Sequence, residues 1–366
     1  MEDVGLIMSG INVKFWAGKR VLMTGHTGFK GSWLSLWLQS MGAELHGFAL
    51  SPPTAPALFE EAGVGEGMAS TLGDIRDYST VLAAMKVCRP DVIFHLAAQP
   101  LVRYSYQAPV ETYATNIMGT VHVLEAARQV GSARAIINVT TDKCYENKEW
   151  LWGYRENEAM GGRDPYSSAK GCAELVTNAY RCSYFMDGGA ALASVRAGNV
   201  IGGGDWALDR LVPDIIRAFQ ERRPAIIRNP CAIRPWQHVL EPLSGYMILA
   251  ERLFDTGQTF AEGWNFGPNE EDARSVQWVV EQLAATWGED ASWQLDDAQH
   301  PHEANYLKLD ISKAKSLLCW KPQWNIMQAL EKIVVWHRTW NEGGDVKRAC
   351  LNQIEEYQAS LSLAKN

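Results

Sequence analysis

Cysteine is scarce and unpatterned in this chain of 366 residues. The seven thiols are Cys88, Cys144, Cys172, Cys182, Cys231, Cys319 and Cys350, an odd number with no Cys-x-x-Cys spacing. That argues against a disulfide framework or a zinc module, and makes a reducing cytoplasm the expected compartment. Long apolar runs are also missing: no stretch reaches the ~20 residues that a membrane-spanning helix needs. The first residues include Glu2 and Asp3 and no basic run, so no secretory signal is expected. Positive charge is in deficit, and the net charge of −8 argues against a general nucleic-acid surface. A local basic pocket for a phosphorylated ligand remains compatible with it. Internal repeats, low-complexity tracts and flexible linkers are absent.

What is present is an ordinary globular composition, 47% hydrophobic and 21% charged, long enough for a sizeable core. Short apolar runs alternate with helical patterns through the first half. The spacing predicts strands at Arg20–Thr24, Glu44–Leu50, Ser70–Gly73, Val92–Ala97, Ala135–Thr140 and Ala191–Arg196. Helices are predicted between them, as at Gly31–Met41 and Tyr78–Val87. Such alternation predicts an α/β fold with a doubly wound parallel sheet, a Rossmann sheet, and the unbroken apolar strands fit burial on both faces. After about residue 200 the pattern changes, with helices at Leu211–Phe219 and Leu243–Leu253 and short strands near Ala225–Arg228 and Gly263–Phe266. The expectation is a dinucleotide-binding domain over 1–200 and a smaller, interleaved α/β substrate lobe over 201–366. The polar tail from about Gly343 reads as a further helix.

Residues 24–31 read Thr-Gly-His-Thr-Gly-Phe-Lys-Gly between an apolar strand and a helix. Glycines at 25, 28 and 31 let a backbone turn sharply and approach a pyrophosphate, while the helix N-terminus offers free N–H groups. A P-loop is excluded because Phe29, not glycine, precedes Lys30. His26 inside the turn reads as a shaping residue. Downstream, Tyr166 and Lys170 are spaced i, i+4, which puts phenol and ammonium on one helix face. A nearby cation favours phenolate, so the expectation is a tyrosine tuned as a base. Thr140-Thr141-Asp142 and His95-Leu96-Ala97-Ala98-Gln99 each end a strand where α/β sheets place ligand groups.

Together, the glycine turn, Asp74-Ile75, His95–Ala98, Asn116, Thr141, Tyr166 and Lys170 resemble the extended short-chain dehydrogenase/reductase family. Arg196–Val200, Arg234–Val239 and Trp264–Gly267 resemble its nucleotide-sugar branch. Thr141–Tyr145, Arg196–Trp206 and Ile233–Glu241 are similar to the CDP-glucose group of the 4,6-dehydratases within it.

The resemblance implies NAD as cofactor and CDP-glucose as the small-molecule substrate. Gly25, Thr27, Gly28, Phe29, Lys30 and Gly31 would cradle the NAD pyrophosphate, Asp74 and Ile75 the adenine edge, and Leu96, Ala97 and Ala98 would pass beneath the dinucleotide. Lys170 would contact the nicotinamide ribose, Thr141 the sugar hydroxyl, and Tyr166 would remove its proton. Asn199, Arg234 and Tyr306 are candidates for the nucleotide diphosphate, and Gln99 and Arg103 for the substrate. Carbon 4 would be oxidised, water lost across carbons 5 and 6, and hydride returned to carbon 6. Asp142 would be the acid, held protonated by burial or a neighbouring anion. The resemblance further implies a homodimer through helices near 107–129 and 165–186, and a place in O-antigen or lipopolysaccharide biosynthesis.

Two departures from the family pattern stand out. Lys143 occupies the position after the acid where the wider group carries a glutamate base; it reads either as the base or as a charge partner of Asp142. The second strand ends Phe48-Ala49-Leu50-Ser51 without the acidic residue that usually reads the NAD ribose, so discrimination against NADP and tight retention of cofactor are less secure. No metal is expected: His300 and His302 flank Pro301 without helical metal spacing. His302-Glu303 has the look of a pocket wall, and Trp150 and Trp152 of a wall or lid. The alternatives are an epimerase or reductase of the same fold, and a non-catalytic NAD-binding regulator.

Overall fold

The computed structural model describes residues 10–288, 291–296, 298 and 306–363. Seven parallel strands form the central sheet: β1 Arg20–Thr24, β2 Glu44–Ala49, β3 Ala69–Leu72, β4 Val92–His95, β5 Ala135–Val139, β6 Ala191–Ala197 and β7 Gly263–Phe266. Their spatial order is β7-β6-β5-β4-β1-β2-β3. The order reverses between β1 and β4, and in open α/β sheets ligands bind at that crevice, beyond the C-terminal strand ends.

The helices that matter are α1 Phe29–Ser40, α2 Tyr78–Cys88, α3 Gly119–Val130, α4 Pro165–Tyr180, α5 Leu211–Gln220, α6 Leu240–Thr256, α7 Val276–Trp287, α8 Ile326–Asn341 and α9 Val346–Leu363. Alternate side chains of one strand feed two layers, because successive strand residues point to opposite faces. Val21 and Met23 join Trp33, Trp37 and residues of α6 and α9 in one core, whereas Leu22 joins Val81, Met85, Val123 and Leu124 on the other face. Asp77 caps α2 by accepting from Ser79 N at 2.9 Å, and Gly131, at φ 63°, ends α3 in the left-handed conformation that glycine adopts without strain.

A second core gathers Ile215, Ile216 and Phe219 of α5, Val279 and Leu283 of α7, and Leu330 and Ile333 of α8. Helix α6 and strand β7, expected in the smaller lobe, pack instead with the main sheet. Gly263–Phe266 pairs with Ser194–Ala197, and Leu243, Met247 and Leu249 lie in the first core. Helix α6 also starts three residues earlier than expected, since Pro242 falls in its first turn, where a missing N–H costs nothing. The expected tail helix is α9, whose Tyr357 stacks edge-on against Trp37 at 5.6 Å. On α6, buried Glu251 accepts from Trp16 Nε1 at 2.7 Å and Asn12 N at 3.0 Å, tying the N-terminal segment down. No described helix is long and apolar enough to cross a membrane.

Candidate active site

The glycine turn sits at the switch point. Gly25 has φ 79°, and a Cβ there would lie 2.7 Å from Ala97 N. A Cβ on Gly31 would lie 2.2 Å from Gly25 O. Gly28 differs: its Cβ would meet only Gly25 O, at 3.4 Å, so the protein's own packing does not demand glycine there. Gly28 precedes α1 with no side-chain cap, which leaves the first N–H groups of the helix to a ligand. This cradle fits a dinucleotide. Leu96 N and Ala97 N are held by Thr24, through its carbonyl at 3.1 Å and its hydroxyl at 3.2 Å. His26 is buried between Ser70, with Nε2 2.7 Å from its hydroxyl, and Gly47; burial pushes its ring down to about 4, so it is neutral and shapes the turn.

The turn after β3 carries Asp74 and buried Ile75. Both Asp74 carboxylate oxygens are held by Arg76, which keeps the carboxyl below its usual range. Beyond β2, Thr27 Oγ1 donates to Leu50 O at 2.9 Å, and no acid stands at that strand end.

The chemical groups converge beyond β5. Thr141 donates to Asp142 Oδ1 at 2.9 Å, while Asp142 Oδ2 is buried without a hydrogen-bond partner among the described residues. Burial raises the Asp142 pKa, against the pull of Lys143, Thr141, Arg234 and Lys30. Lys143, half-buried, is the group whose charge opposes that rise most. Helix α4, capped by Asp164 and started by Pro165, brings Tyr166 and Lys170 to the same place. Burial pushes Tyr166 up to about 12, although its hydrogen bond with Thr141 and the charge of Arg210 pull the other way. Lys170 Nζ donates to Val139 O at 3.1 Å, and burial lowers it to about 8.

Lys30, in the glycine turn, is within electrostatic reach of the reaction groups. Burial, with the charges of Arg210 and Lys170, pushes it down to about 7, and Asp142 and Asp205 oppose that shift. Its charge thus bears on the reaction groups. Asp205, within the Arg196–Trp206 motif, is joined at 2.7 Å to Arg210, which has no motif signal in the sequence. They come into place because Trp33 Nε1 of α1 donates to Gly203 O at 3.0 Å and holds the Gly202–Asp205 loop.

Of the substrate candidates, Arg234 and Asn199 lie near the acid: a Cβ on Gly198 would meet Asp142 Oδ2 at 3.1 Å and Pro235 Cγ at 2.4 Å. Tyr306 bridges Ile233 and sends its hydroxyl to Leu151 O at 3.1 Å. Arg103 pairs with Asp209 at 3.4 Å. Gln99 spends its side-chain amide on Thr112 at 2.9 Å and on Leu101, so it shapes that turn rather than gripping a ligand. Asn116 locks the same turn through Gln99 N at 2.8 Å. His300, His302 and Glu303 lie outside the described residues. Trp152, Trp150, Tyr154 and Tyr145 form a run of ring contacts, with centroids 5.2–5.6 Å apart, from the surface to buried Tyr145. No cluster among the described residues has the His, Cys, Asp or Glu groups to hold a metal.

Known proteins agree with this architecture. The family model for GDP-mannose 4,6 dehydratase matches residues 22–333. A CDP-glucose 4,6-dehydratase of Salmonella typhimurium is 56% identical over 96% of this chain and 99% of its own. The UDP-glucose 4-epimerase of Thermotoga maritima superposes with TM-score 0.78 at 22% identity, over 88% of this chain and 99% of that one. A dTDP-glucose 4,6-dehydratase of Streptomyces venezuelae, solved with NAD, gives 0.75 at 21% identity, over 89% and 99%. At such identities the two solved structures speak for the fold, whereas the extent of the family match and the Salmonella relative speak for kinship: the chain belongs to the GDP-mannose 4,6 dehydratase family.

Proposed function

We infer that the protein is an NAD-dependent nucleotide-sugar 4,6-dehydratase, a hydro-lyase that converts CDP-D-glucose to CDP-4-keto-6-deoxy-D-glucose. The observation that carries this is the buried Asp142 carboxyl, with one oxygen unpartnered and its pKa raised, beside Thr141 and near Tyr166. An epimerase of the same fold has no leaving group to protonate; a dehydratase needs such an acid. The 56% identity to the Salmonella CDP-glucose enzyme supports the choice of sugar nucleotide.

NAD, when bound, supplies the two-electron oxidant for carbon 4 and gives the electrons back at carbon 6, so the net reaction is loss of water. Gly25, Gly28 and Gly31 with the first N–H groups of α1 would hold its pyrophosphate, Leu96–Ala98 would underlie it, Ile75 and Asp74 would border its adenine and Lys170 its nicotinamide ribose. Thr141 orients the carbon 4 hydroxyl and Tyr166 takes its proton, with the Arg210 charge easing the phenolate. The ketone acidifies the carbon 5 proton, which Lys143 removes. Asp142 then protonates the carbon 6 hydroxyl as it leaves. Lys30 is the second candidate for the carbon 5 base. Asn199, Arg234 and Tyr306 would take the nucleotide diphosphate, the last two from the lobe built on α5, α7 and α8.

The test is incubation with NAD and CDP-glucose. A 4-keto-6-deoxy product without accumulating reduced nicotinamide is expected. Reduced nicotinamide in stoichiometric amount with a sugar that keeps its carbon 6 hydroxyl would overturn the dehydratase reading. A homodimer is part of the same proposal, supported by apolar side chains left exposed on 109–118 and 165–185, with Val110 82% and Leu175 61% exposed. A cytoplasmic place in O-antigen or lipopolysaccharide synthesis follows from the product, a deoxysugar nucleotide. Light scattering at a monomer's mass would remove the dimer from it.

A further inference from the structure

Behind the reaction groups lies a buried ion pair that none of the steps above uses. Glu174, on α4 one turn beyond Lys170, and Arg196, on β6, are joined by two bonds, from Nε at 3.0 Å and Nη2 at 2.8 Å. Each is about 5% exposed. We propose that Glu174, held by Arg196, is a positioning residue for the reaction inferred above: it locks the helix of Tyr166 and Lys170 onto the strand ends that carry Thr141 and Asp142. The proposal rests on that reading of the reaction.

The hydrogen bonds trace the lock. Glu174 accepts from Ser194 Oγ at 2.6 Å and from Thr140 Oγ1, and Thr140 is the residue before Thr141. Arg196 Nη1 donates to Tyr145 OH at 2.6 Å and to Glu156 O at 2.9 Å. Tyr145 OH passes the chain on to Asn265 Oδ1 at 2.8 Å, on β7. The reactive turn 141–144 is thus pinned on both sides, at 140 and at 145, to one ion pair. A buried ion pair is weak as a device for stability, because desolvating two charges offsets most of their attraction. Its value here is a fixed geometry, and fixed geometry is what proton transfer needs.

Glu174 acts on Lys170 through charge as well. Burial lowers Lys170, and Glu174 is the strongest group that raises it again, followed by Cys144. The other charged or titratable groups facing Lys170 are His95 from β4, Lys30 from α1 and Tyr166 on its own helix; Arg103 and Glu111 lie on the segment 102–118 packed beside α4. Of the two acids, Glu174 and Glu111, Glu174 is the one whose charge favours the charged amine at the site of the nicotinamide ribose.

The test is Glu174→Gln, read as the pH dependence of reduced-NAD binding by fluorescence and of 4-keto-sugar formation. The alkaline limb of both should move down by about one pH unit, the size of a lost opposite charge at close range. A residue that merely stabilised the fold would lower the amplitude at every pH and leave the limb in place, and that result overturns the proposal. Glu174→Gln with Arg196→Gln leaves no unpaired buried charge and should show the same shift. Glu174→Asp keeps the charge and shortens the reach, so the limb should stay while kcat falls about tenfold; wild-type kcat in this variant overturns the positioning role. If the wild-type protein turned over no CDP-glucose, the reaction reading would fail, yet the binding limb would still report on the Glu174–Lys170 coupling.

Discussion

Thr141 Oγ1 donates to Asp142 Oδ1 at 2.9 Å and leaves Oδ2, in a buried site, without a hydrogen-bond partner among the described residues. An unpartnered carboxylate oxygen is costly as an anion and cheap as an acid. Asp142→Asn keeps the shape and removes the acidic proton. Dehydration should fall by about 10²–10⁴-fold, the usual worth of a positioned acid, while carbon 4 oxidation survives as transient nicotinamide absorbance. Loss of both steps together would show that Asp142 serves binding or folding instead.

The two lysines near this acid separate by isotope exchange. Lys143→Met should abolish deuterium uptake from solvent at carbon 5. Lys30→Met should keep that uptake and weaken NAD binding. The opposite pattern, read by mass spectrometry of the product, would hand the base role to Lys30, whose amine burial has already pushed down to about 7.

Gly28 and Gly31 should fail in different ways when replaced by alanine. Gly31→Ala drives a methyl to 2.2 Å from Gly25 O, so the turn must deform and the melting temperature should drop. Gly28→Ala meets only Gly25 O at 3.4 Å, so it should melt like the wild type. It should still lose about tenfold in NAD affinity, roughly 1.4 kcal/mol, because the methyl stands where the cofactor approaches. Equal melting and equal NAD affinity in Gly28→Ala would move the pyrophosphate elsewhere.

Glu251 gives a stability prediction with a definite sign. Burial raises its folded pKa to about 7, above the ordinary 4.5. Its stabilising contribution is therefore complete below about 4.5 and is lost as pH rises through about 7. Glu251→Gln is neutral throughout, so the stability gap between wild type and variant should shrink from pH 5 to pH 8. Urea midpoints across that range measure it, and a gap that widens with pH would contradict the assignment.

Strands β1, β4, β5 and β6 were legible because each is a short, mostly apolar run buried along most of its length, whereas β3, Ala69–Leu72, is exposed throughout and was marked only by its place in the alternation of strands and helices. Gly263–Phe266 carried the same signal, but its place beside β6 depends on the pairing of Gly263 with Ser194, sixty-odd residues away, which no local pattern encodes. The site divides in the same way. Tyr166, Lys170 and the glycine turn announce themselves by spacing. Glu174–Arg196 and Asp205–Arg210 do not, because an ion pair has no periodicity and is defined only once strands and loops are in register.

The ring run from Tyr145 to Trp152 ends in two indoles: Trp150, 37% exposed, stacks on Tyr154, and Trp152, 60% exposed, leans tilted against Trp150, within a few residues of the reactive turn. Indole emission responds to stacking and to wetting, so the molecule carries its own optical gauge of that segment. Trp150→Phe and Trp152→Phe, each compared with the wild type, would show how much of an emission change on ligand binding comes from that segment.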